Sequence, residues 1–178
     1  MASPHPFGLL LEIDRRNASQ TLPVASKATQ PLGTEGRLAL RLGSWNILFS
    51  MQDVSEIIPV PRVTQVPGVK VWLMGMANWR GTVISVVDLR GFLGGKLTVL
   101  TPNSRLVVVH SGEWNYGLLV DEIIGMRHFS ERKPTALHTL DIGLRLYVTE
   151  AFENKSQKWL VFDVSRLLGA PDFYDTAA

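Results

Sequence analysis

One strand-to-helix motif occurs twice in the sequence, and this internal repeat constrains the fold more than any other feature. The segment Val86–Gly94 reads VVDLRGFLG, and the segment Val161–Gly169 reads VFDVSRLLG. In each copy two apolar residues precede an aspartate, and further apolar residues follow it at helical spacing. An aspartate at a helix start accepts a hydrogen bond from a free backbone N–H, so we expect Asp88 and Asp163 to cap short helices. The closing glycine of each copy suits a left-handed residue after the last turn.

A second, weaker sequence similarity lies upstream of each copy. Trp45–Ile58 reads WNILFSMQDVSEII, and Trp114–Ile124 reads WNYGLLVDEII. Both begin with Trp-Asn, continue as an apolar strand-like run and end in Ile-Ile, although their lengths differ by three residues. Two copies of such a long unit are too few for a solenoid, so we interpret the chain as two related β subdomains, each near the size of a small barrel.

Length and composition limit the class of protein. A chain of 178 residues has room for one ordinary domain or two small ones. It contains no cysteine, which excludes disulfides, thiolate nucleophiles and cysteine metal sites. No apolar run approaches the roughly 18 residues of a membrane span, and the early run FGLLL is too short for a signal core. We therefore expect a cytoplasmic protein.

The net charge of +2 argues weakly against nucleic-acid binding. The chain has 18 basic and 16 acidic residues, and no basic cluster exceeds a pair such as Arg15 and Arg16. Nucleic-acid-binding proteins usually show a basic stripe, which this sequence lacks in linear order. Folding can still gather one, so a nucleic-acid-binding small barrel stays an alternative.

The chain divides into four segments. Residues 1–20 predict an amphipathic helix with Phe7, Leu10 and Leu11 on its apolar face, and the polar residues 21–36 predict a linker. Residues 37–170 contain short β-branched and aromatic runs separated by glycine, asparagine and proline turns, which is typical of an all-β fold. Residues 171–178 are expected to form a C-terminal tail.

Motifs for catalysis or metal binding are absent from the sequence. The four histidines do not have zinc-site spacing: His5, His110, His128 and His138. No nucleophile elbow, phosphate loop or dinucleotide motif occurs. Asp121 and Glu122 are adjacent, so on a strand they would point to opposite faces rather than form a carboxylate pair. We expect no catalytic residue, metal or cofactor; an enzyme with a site built from scattered residues is the alternative.

The turn GMANWRG, at residues 75–81, places a tryptophan beside an arginine. Tight turns do not need these residue types, whereas binding hot spots are enriched in both. A binding role for the pair and a purely structural one, with Trp79 in a core and Arg80 solvated, both stay open. We expect Gly81 to adopt the conformation that reverses the chain.

The block Gly75–Arg90, GMANWRGTVISVVDLR, resembles the G-x-x-N-x-R-G-x-[IV]-[IV]-P-[IV]-[IV]-D-L-R signature of the CheW-like adaptor family. The segment Arg105–Met126 resembles the family's second landmark, and the likeness extends over about residues 37–169. One departure is Ser85, where the family usually has proline. Within the family, the segments PFGLLLEIDRR and VWLMGMANWRG look most like the adaptors of type IV pilus twitching systems.

The resemblance implies two interleaved five-stranded SH3-like barrels with short helices. It implies a non-catalytic adaptor that binds the regulatory domain of a CheA-type histidine kinase and, in a groove between the barrels, the cytoplasmic tip of a methyl-accepting chemoreceptor. Such a protein is cytoplasmic, is recruited to membrane-bound receptor arrays, and neither inserts into the membrane nor binds nucleic acid. A flagellar chemotaxis coupling protein of the same family is the alternative.

Carried over by position, the resemblance also implies a set of partner-binding residues. They are Val54, Glu56, Gly75, Asn78, Arg80, Val120 and Asp121.

Overall fold

The computed structural model describes residues 36–178, which form eleven strands, four short α-helices and one 3-10 turn. The predicted helix over residues 1–20 and nearly all of the predicted linker lie outside the described residues. The strands are β1 (Arg37–Leu42), β2 (Trp45–Ser50), β3 (Glu56–Pro59), β4 (Leu73–Trp79), β5 (Thr82–Asp88), β6 (Arg105–Ser111), β7 (Trp114–Val120), β8 (Glu122–Arg127), β9 (Lys133–Pro134), β10 (Val148–Asn154) and β11 (Gln157–Phe162). The helices are α1 (Leu89–Phe92), α2 (Ile142–Arg145), α3 (Val164–Leu168) and α4 (Pro171–Tyr174), and the 3-10 turn is Leu137–Thr139. No helix within residues 36–178 is long and apolar enough to cross a membrane.

The strands form two sheets, and each sheet curls around its own apolar core. Barrel 1 is the five-stranded sheet with the order β3-β6-β7-β5-β4. Barrel 2 is the six-stranded sheet with the order β8-β1-β2-β11-β10-β9, in which β9 is a two-residue addition at the edge. The all-β class and the pair of small barrels predicted from the sequence are confirmed, with barrel 2 one short strand larger than expected.

The two halves of the chain are interleaved between the barrels. The first half supplies the β1–β2 hairpin to barrel 2 and then β3, β4 and β5 to barrel 1. The second half supplies the β6–β7 hairpin to barrel 1 and then β8 to β11 to barrel 2. The two parallel pairs, β2–β11 and β5–β7, occur where a strand of one half joins the hairpin of the other. The sequence repeat therefore does not coincide with the barrels, since each barrel draws on both copies.

Most of the apolar burial lies in a central core between the barrels. In β1, Leu38, Leu40 and Leu42 face this central core, whereas Ala39 faces the interior of barrel 2. Strands β2, β6, β7 and β11 alternate in the same way. Because side chains alternate between the faces of a strand, burial of both faces requires a nearly continuous apolar run. This explains why segments such as RLVVVH and KWLVF show little polar alternation.

Two aspartates cap the short helices, as the repeat predicts. The Asp88 carboxylate accepts a hydrogen bond from the Gly91 backbone N–H at 2.9 Å, at the start of α1. The Asp163 carboxylate accepts one from the Arg166 backbone N–H at 2.9 Å, at the start of α3. The sequence copies therefore fold into equivalent strand-to-helix joints.

The glycines that close the two motifs differ. Gly94 has a φ of +85°, so the expected left-handed conformation is confirmed there. The same expectation is wrong for Gly169, which has a φ of −94°. Its N–H donates to the Ser165 carbonyl at 2.9 Å, and the chain continues directly into α4 at Pro171 instead of turning away.

The segment 171–178, expected as a tail, contains α4. Phe173 in this helix is 2% exposed and belongs to the central core. Its ring lies 5.1 Å from the ring of Tyr116 and 5.4 Å from that of Phe92. The C-terminal residues thus cover part of the central core that the strands leave open.

The two caps differ in burial, and we expect them to differ in their effect on stability. Asp88 is 2% exposed and also accepts hydrogen bonds from the backbone N–H and the hydroxyl of Thr98, at 2.7 and 3.1 Å. Asp163→Ala removes one exposed capping bond and should lower the free energy of unfolding by about 1 kcal/mol. Asp88→Ala also leaves buried groups of Thr98 without an acceptor, so we expect a loss of about 3 kcal/mol. Urea unfolding followed by circular dichroism measures both losses, and equal values would contradict the assignment.

Candidate partner-binding surface

A tight hairpin turn carries Arg80 at one end of barrel 1. The turn joins β4 to β5, and Arg80 and Gly81 have φ angles of +51° and +84°. Two consecutive positive φ angles are the pattern of the type I′ turn, which suits the twist of a two-residue hairpin. The Asn78 side-chain oxygen accepts the Gly81 N–H at 3.0 Å and braces the turn. The expectation that Gly81 helps to reverse the chain is confirmed.

The Arg80 side chain is exposed but held in place by its own barrel. Its guanidinium lies over the Trp79 ring at 5.2 Å, and one of its nitrogens lies 3.4 Å from a carboxylate oxygen of Glu56 in β3. The Trp79 indole N–H donates to the same oxygen at 3.3 Å. The Arg80 side chain remains 76% exposed. We call Glu56, Asn78, Trp79 and Arg80 the Arg80 cluster.

Trp79 has a structural role in barrel 1 and also contacts Arg80. Its ring packs against the barrel 1 core, and its outer face supports the Arg80 guanidinium. Within residues 36–178, the Arg80 side chain forms its ion pair, hydrogen bond and cation–π contact only with groups of barrel 1, so it does not bridge the two barrels. An exposed ion pair at this distance contributes at most about 1 kcal/mol to stability. The guanidinium is therefore available to a partner with little loss to the fold.

The backbone geometry of β4 explains why position 75 is a glycine. It is buried at a β-bulge with a φ of +134°, and a Cβ atom there would lie 2.1 Å from the Thr64 carbonyl oxygen. The neighbouring Met76 exchanges backbone hydrogen bonds with Thr64 at 2.8 and 2.9 Å. A glycine is thus required where the β3–β4 connection closes on β4. Gly75 supports the hairpin of the Arg80 cluster without presenting a side chain.

Val54 lies in a shallow cavity between the two barrels. The cavity, about 300 Å³, is lined by the β2–β3 connection, by His110 at the end of β6 and by Leu168 of α3. Val54 is partly buried and packs against the central core. Neighbouring Asp53 also lines this cavity. No group of three or more histidine, aspartate or glutamate side chains within residues 36–178 is arranged to hold a metal ion.

Val120 and Asp121 lie away from the Arg80 cluster. Strands β5 and β7 run parallel, so the turn before β5 and the C-terminal end of β7 are at opposite ends of the sheet. Val120 is fully buried in the central core and offers no side-chain surface. The Asp121 carboxylate accepts the Gly43 N–H at 2.7 Å and so braces the β1–β2 turn. Neither residue joins the surface formed by the Arg80 cluster.

A second basic turn, on barrel 2, was missed in the sequence. Lys155 and Ser156 join β10 to β11 with φ angles of +49° and +62°, the same turn conformation as Arg80 and Gly81. Lys155 lies eight residues before Asp163, as Arg80 lies eight residues before Asp88. Extending the repeat backward from the aspartates would have found it.

Asp53, which lines the cavity beside Val54, is the basis of a pH-dependent prediction. Burial, reinforced by the charge of Asp163 and opposed by Arg37, raises the pKa of Asp53 above its ordinary value. A raised pKa in the folded state means that ionised Asp53 destabilises the fold at neutral pH. Asp53→Asn should therefore raise the melting temperature at pH 7. The gain should fade as the pH falls to about 4, where the carboxyl is protonated in the unfolded chain as well.

Thermal melts between pH 4 and pH 8 measure this difference. Glu113→Gln, at an exposed position in the β6–β7 turn, is the matched control and should leave the pH profile unchanged. A gain for Asp53→Asn that stayed constant across the pH range would show that the amide acts by something other than charge.

Comparisons with known proteins identify the family. A family model described as the CheW-like domain matches residues 38–172. Protein PilI of Pseudomonas aeruginosa is 37% identical over 97% of this chain and 96% of its own length. Protein FrzA of Myxococcus xanthus is 27% identical over 59% of this chain and 66% of its own length.

A solved structure supports the fold. The scaffolding protein TtCheW from Thermoanaerobacter tengcongensis aligns with a TM-score of 0.65 at 19% identity, over 80% of this chain and 97% of that chain. The family match contains both strand-to-helix motifs and the whole Arg80 cluster. The resemblance seen in the sequence is confirmed, and the chain belongs to the CheW-like family.

Proposed function

We propose that this protein is a non-catalytic adaptor that couples a methyl-accepting chemoreceptor to a CheA-type histidine kinase in a chemosensory array. The observation that carries the proposal is the Arg80 cluster, an exposed cation on a rigid turn within a CheW-like domain. We further propose that the array controls twitching motility by type IV pili. The similarity to PilI along nearly the full chain supports that output, whereas the likeness to the chemotaxis protein CheW of Bacillus subtilis covers 42% of this chain.

The Arg80 cluster is suited to binding a protein partner. The turn conformation, the Trp79 ring and the Glu56 carboxylate restrict the Arg80 side chain before binding, so less conformational entropy is lost in a complex. A guanidinium donates two parallel hydrogen bonds to a carboxylate, which fixes the orientation of the partner. The partner's carboxylate exchanges with Glu56, or contacts Arg80 on its free side.

The cavity beside Val54 is suited to a second partner. It is bounded by barrel 1 at His110 and by α3, which follows the last strand of barrel 2. Its wall includes the apolar side chains of Val54, Val164 and Leu168. We assign this cavity to the helical tip of the receptor. We assign the Arg80 cluster to a neighbouring contact, with the receptor tip or with the kinase regulatory domain. An adaptor with two occupied surfaces joins receptor and kinase without any chemical step of its own.

The Arg80 contact can be tested by substitution. Arg80→Ala should weaken binding to a receptor-tip peptide or to the kinase regulatory domain by about 30-fold, equivalent to about 2 kcal/mol. It should change the free energy of unfolding by less than about 1 kcal/mol, because the side chain is exposed. Arg80→Lys should restore only part of the affinity, since an ammonium cannot make the bidentate contact. Calorimetric titration beside urea unfolding separates these effects.

Arg145→Ala is the matched control for this experiment. Arg145 is an exposed arginine in α2, and its replacement removes the same charge. We expect its affinity for both partners to stay within about threefold of the unchanged protein. Unchanged affinities for Arg80→Ala, with an unchanged stability, would remove Arg80 from the binding surface.

The motility output can be tested in the source organism. Deleting the gene should abolish twitching on agar and leave swimming intact, and the intact gene should restore twitching. Loss of swimming with normal twitching would instead assign the protein to flagellar chemotaxis. Normal movement by both modes would refute the proposed output while leaving the binding measurements to decide the adaptor role.

A further inference from the structure

Barrel 2 has an open cavity of about 400 Å³ at the end that carries the Lys155 turn. Its floor is apolar and formed by Ile124, Phe129 and Trp159, of which the two aromatic rings are 5% exposed. Amide side chains and basic groups complete the wall. They are Asn46, Asn154 and Gln157, with Arg41, Arg127, His128 and Lys155. We call this cavity the barrel 2 mouth.

The barrel 2 mouth is positively charged. Among residues 36–178, none that lines it carries a carboxylate, and three carry a permanent positive charge. Arg41 is paired with Glu122, with 2.7 Å between guanidinium nitrogen and carboxylate oxygen. Among residues 36–178, Arg127 and Lys155 form no ion pair. Two cations therefore face a space that the described part of the chain leaves without a counter-charge.

Backbone pairing in the two barrels, rather than the Ile-Ile match in the sequence, gives the equivalent positions: Glu56 and Gly125 each lie eleven residues after the Trp of a Trp-Asn pair. In barrel 1, Glu56 of β3 lies opposite Val108 of β6 and supplies the carboxylate that contacts Arg80. In barrel 2, the equivalent strand pair is β8 with β1, and Gly125 lies opposite Ala39. Val108 and Ala39 are equivalent because they pair with Gly117 and Leu48, each three residues after the Trp of a Trp-Asn pair.

Gly125 thus stands where barrel 1 has Glu56. It has a φ of +115°, and apart from its chain neighbours no atom of residues 36–178 lies within 4 Å of the position that a Cβ would take. The turn cation is present in both barrels, as Arg80 and as Lys155, but within the described residues only barrel 1 pairs it with an acid. The position of the missing carboxylate in barrel 2 is open.

We infer that the barrel 2 mouth binds an acidic peptide segment of a partner protein. A carboxylate of that segment lies beside Lys155 and Arg127, as the Glu56 carboxylate lies beside Arg80 in barrel 1. The amides of Asn154 and Gln157 offer donors and acceptors to the peptide backbone, and the apolar floor receives one side chain. Single-stranded nucleic acid fits less well, because it needs exposed aromatic faces for stacking and the rings of this floor are buried.

The test uses a hexaglutamate peptide, blocked at both ends, as the probe. Titrated into the ¹⁵N-labelled full chain, it should shift amide signals of residues 125–129 and 154–157 together with the indole signal of Trp159. A hexaglutamine peptide should leave these signals in place. Binding should weaken at least tenfold between 50 and 300 mM salt, because the contact is electrostatic and exposed.

Substitution identifies the cations that bind. The double variant Lys155→Glu, Arg127→Glu should weaken hexaglutamate binding at least tenfold. The matched control, Lys96→Glu with Arg145→Glu, changes the net charge equally at exposed positions and should stay within threefold. If the first variant fails to fold, Lys155→Asn with Arg127→Gln replaces it, since asparagine tolerates a positive φ.

Several outcomes would overturn the inference. They are equal weakening by the control variant, no saturable binding at 5 mM peptide, and tighter binding of a random single-stranded DNA through the same residues. Arg80 takes no part in this site, so failure here leaves the proposed adaptor function standing, and failure at Arg80 leaves this site standing.

Discussion

Burial of both faces of the same strands is the constraint on which the rest of the structure depends. Of residues 36–178, the central core contains 23 buried ones, against 7 and 6 in the interiors of the two barrels. Strands β1, β2, β6, β7 and β11 contribute to this central core with one face and to a barrel with the other. Because each half of the chain donates its first hairpin to the other half's barrel, neither half closes a barrel alone. The two barrels therefore form a single stable unit, and the surfaces on them have a fixed frame.

The strand-to-helix joints fix the positions of the exposed turns relative to the two barrels. Hydrogen bonds from the Asp88 and Asp163 backbone N–H groups, to the Trp72 and Tyr147 carbonyls at 2.7 and 2.8 Å, anchor each hairpin beside its capped helix. Each hairpin also contains one bulge at the equivalent position. The β4–β5 and β10–β11 hairpins have the same anchor, bulge and length. Because side chains alternate with a period of two along a strand, both hairpins place a basic residue at the same position on their barrel.

Local features were predictable from the sequence, and long-range pairing was not. An aspartate before a helical apolar pattern indicates a cap by itself, and both caps formed. The parallel pairs β2–β11 and β5–β7 join residues far apart in the chain and leave no local pattern, so interleaving followed only from the family resemblance. The same limit applies to Val120. A strand buried on both faces shows no polar alternation, so the sequence does not reveal which side chains reach the surface. Gly169 does not adopt the predicted left-handed conformation because α4 follows directly after it. The nine-residue motif ends before α4 and therefore does not indicate this.

The binding roles proposed for the two barrels rest on positions where the duplicated halves of the fold differ. In barrel 1 a planar guanidinium is stacked on Trp79 and paired with Glu56, so the partner proposed above would meet an oriented group and exchange one ion pair for another. Such a contact adds selectivity more than attraction, because the exchange releases little net Coulomb energy. In barrel 2 the equivalent cation is the ammonium of Lys155, which forms no ion pair with any of residues 36–178. A lysine of this kind adds long-range attraction and faster encounter, with little orientation. In the two proposals, the barrel 1 turn selects a partner and the barrel 2 turn attracts an acidic one. The presence of Glu56 in barrel 1 and of Gly125 at the equivalent position in barrel 2 accounts for the difference.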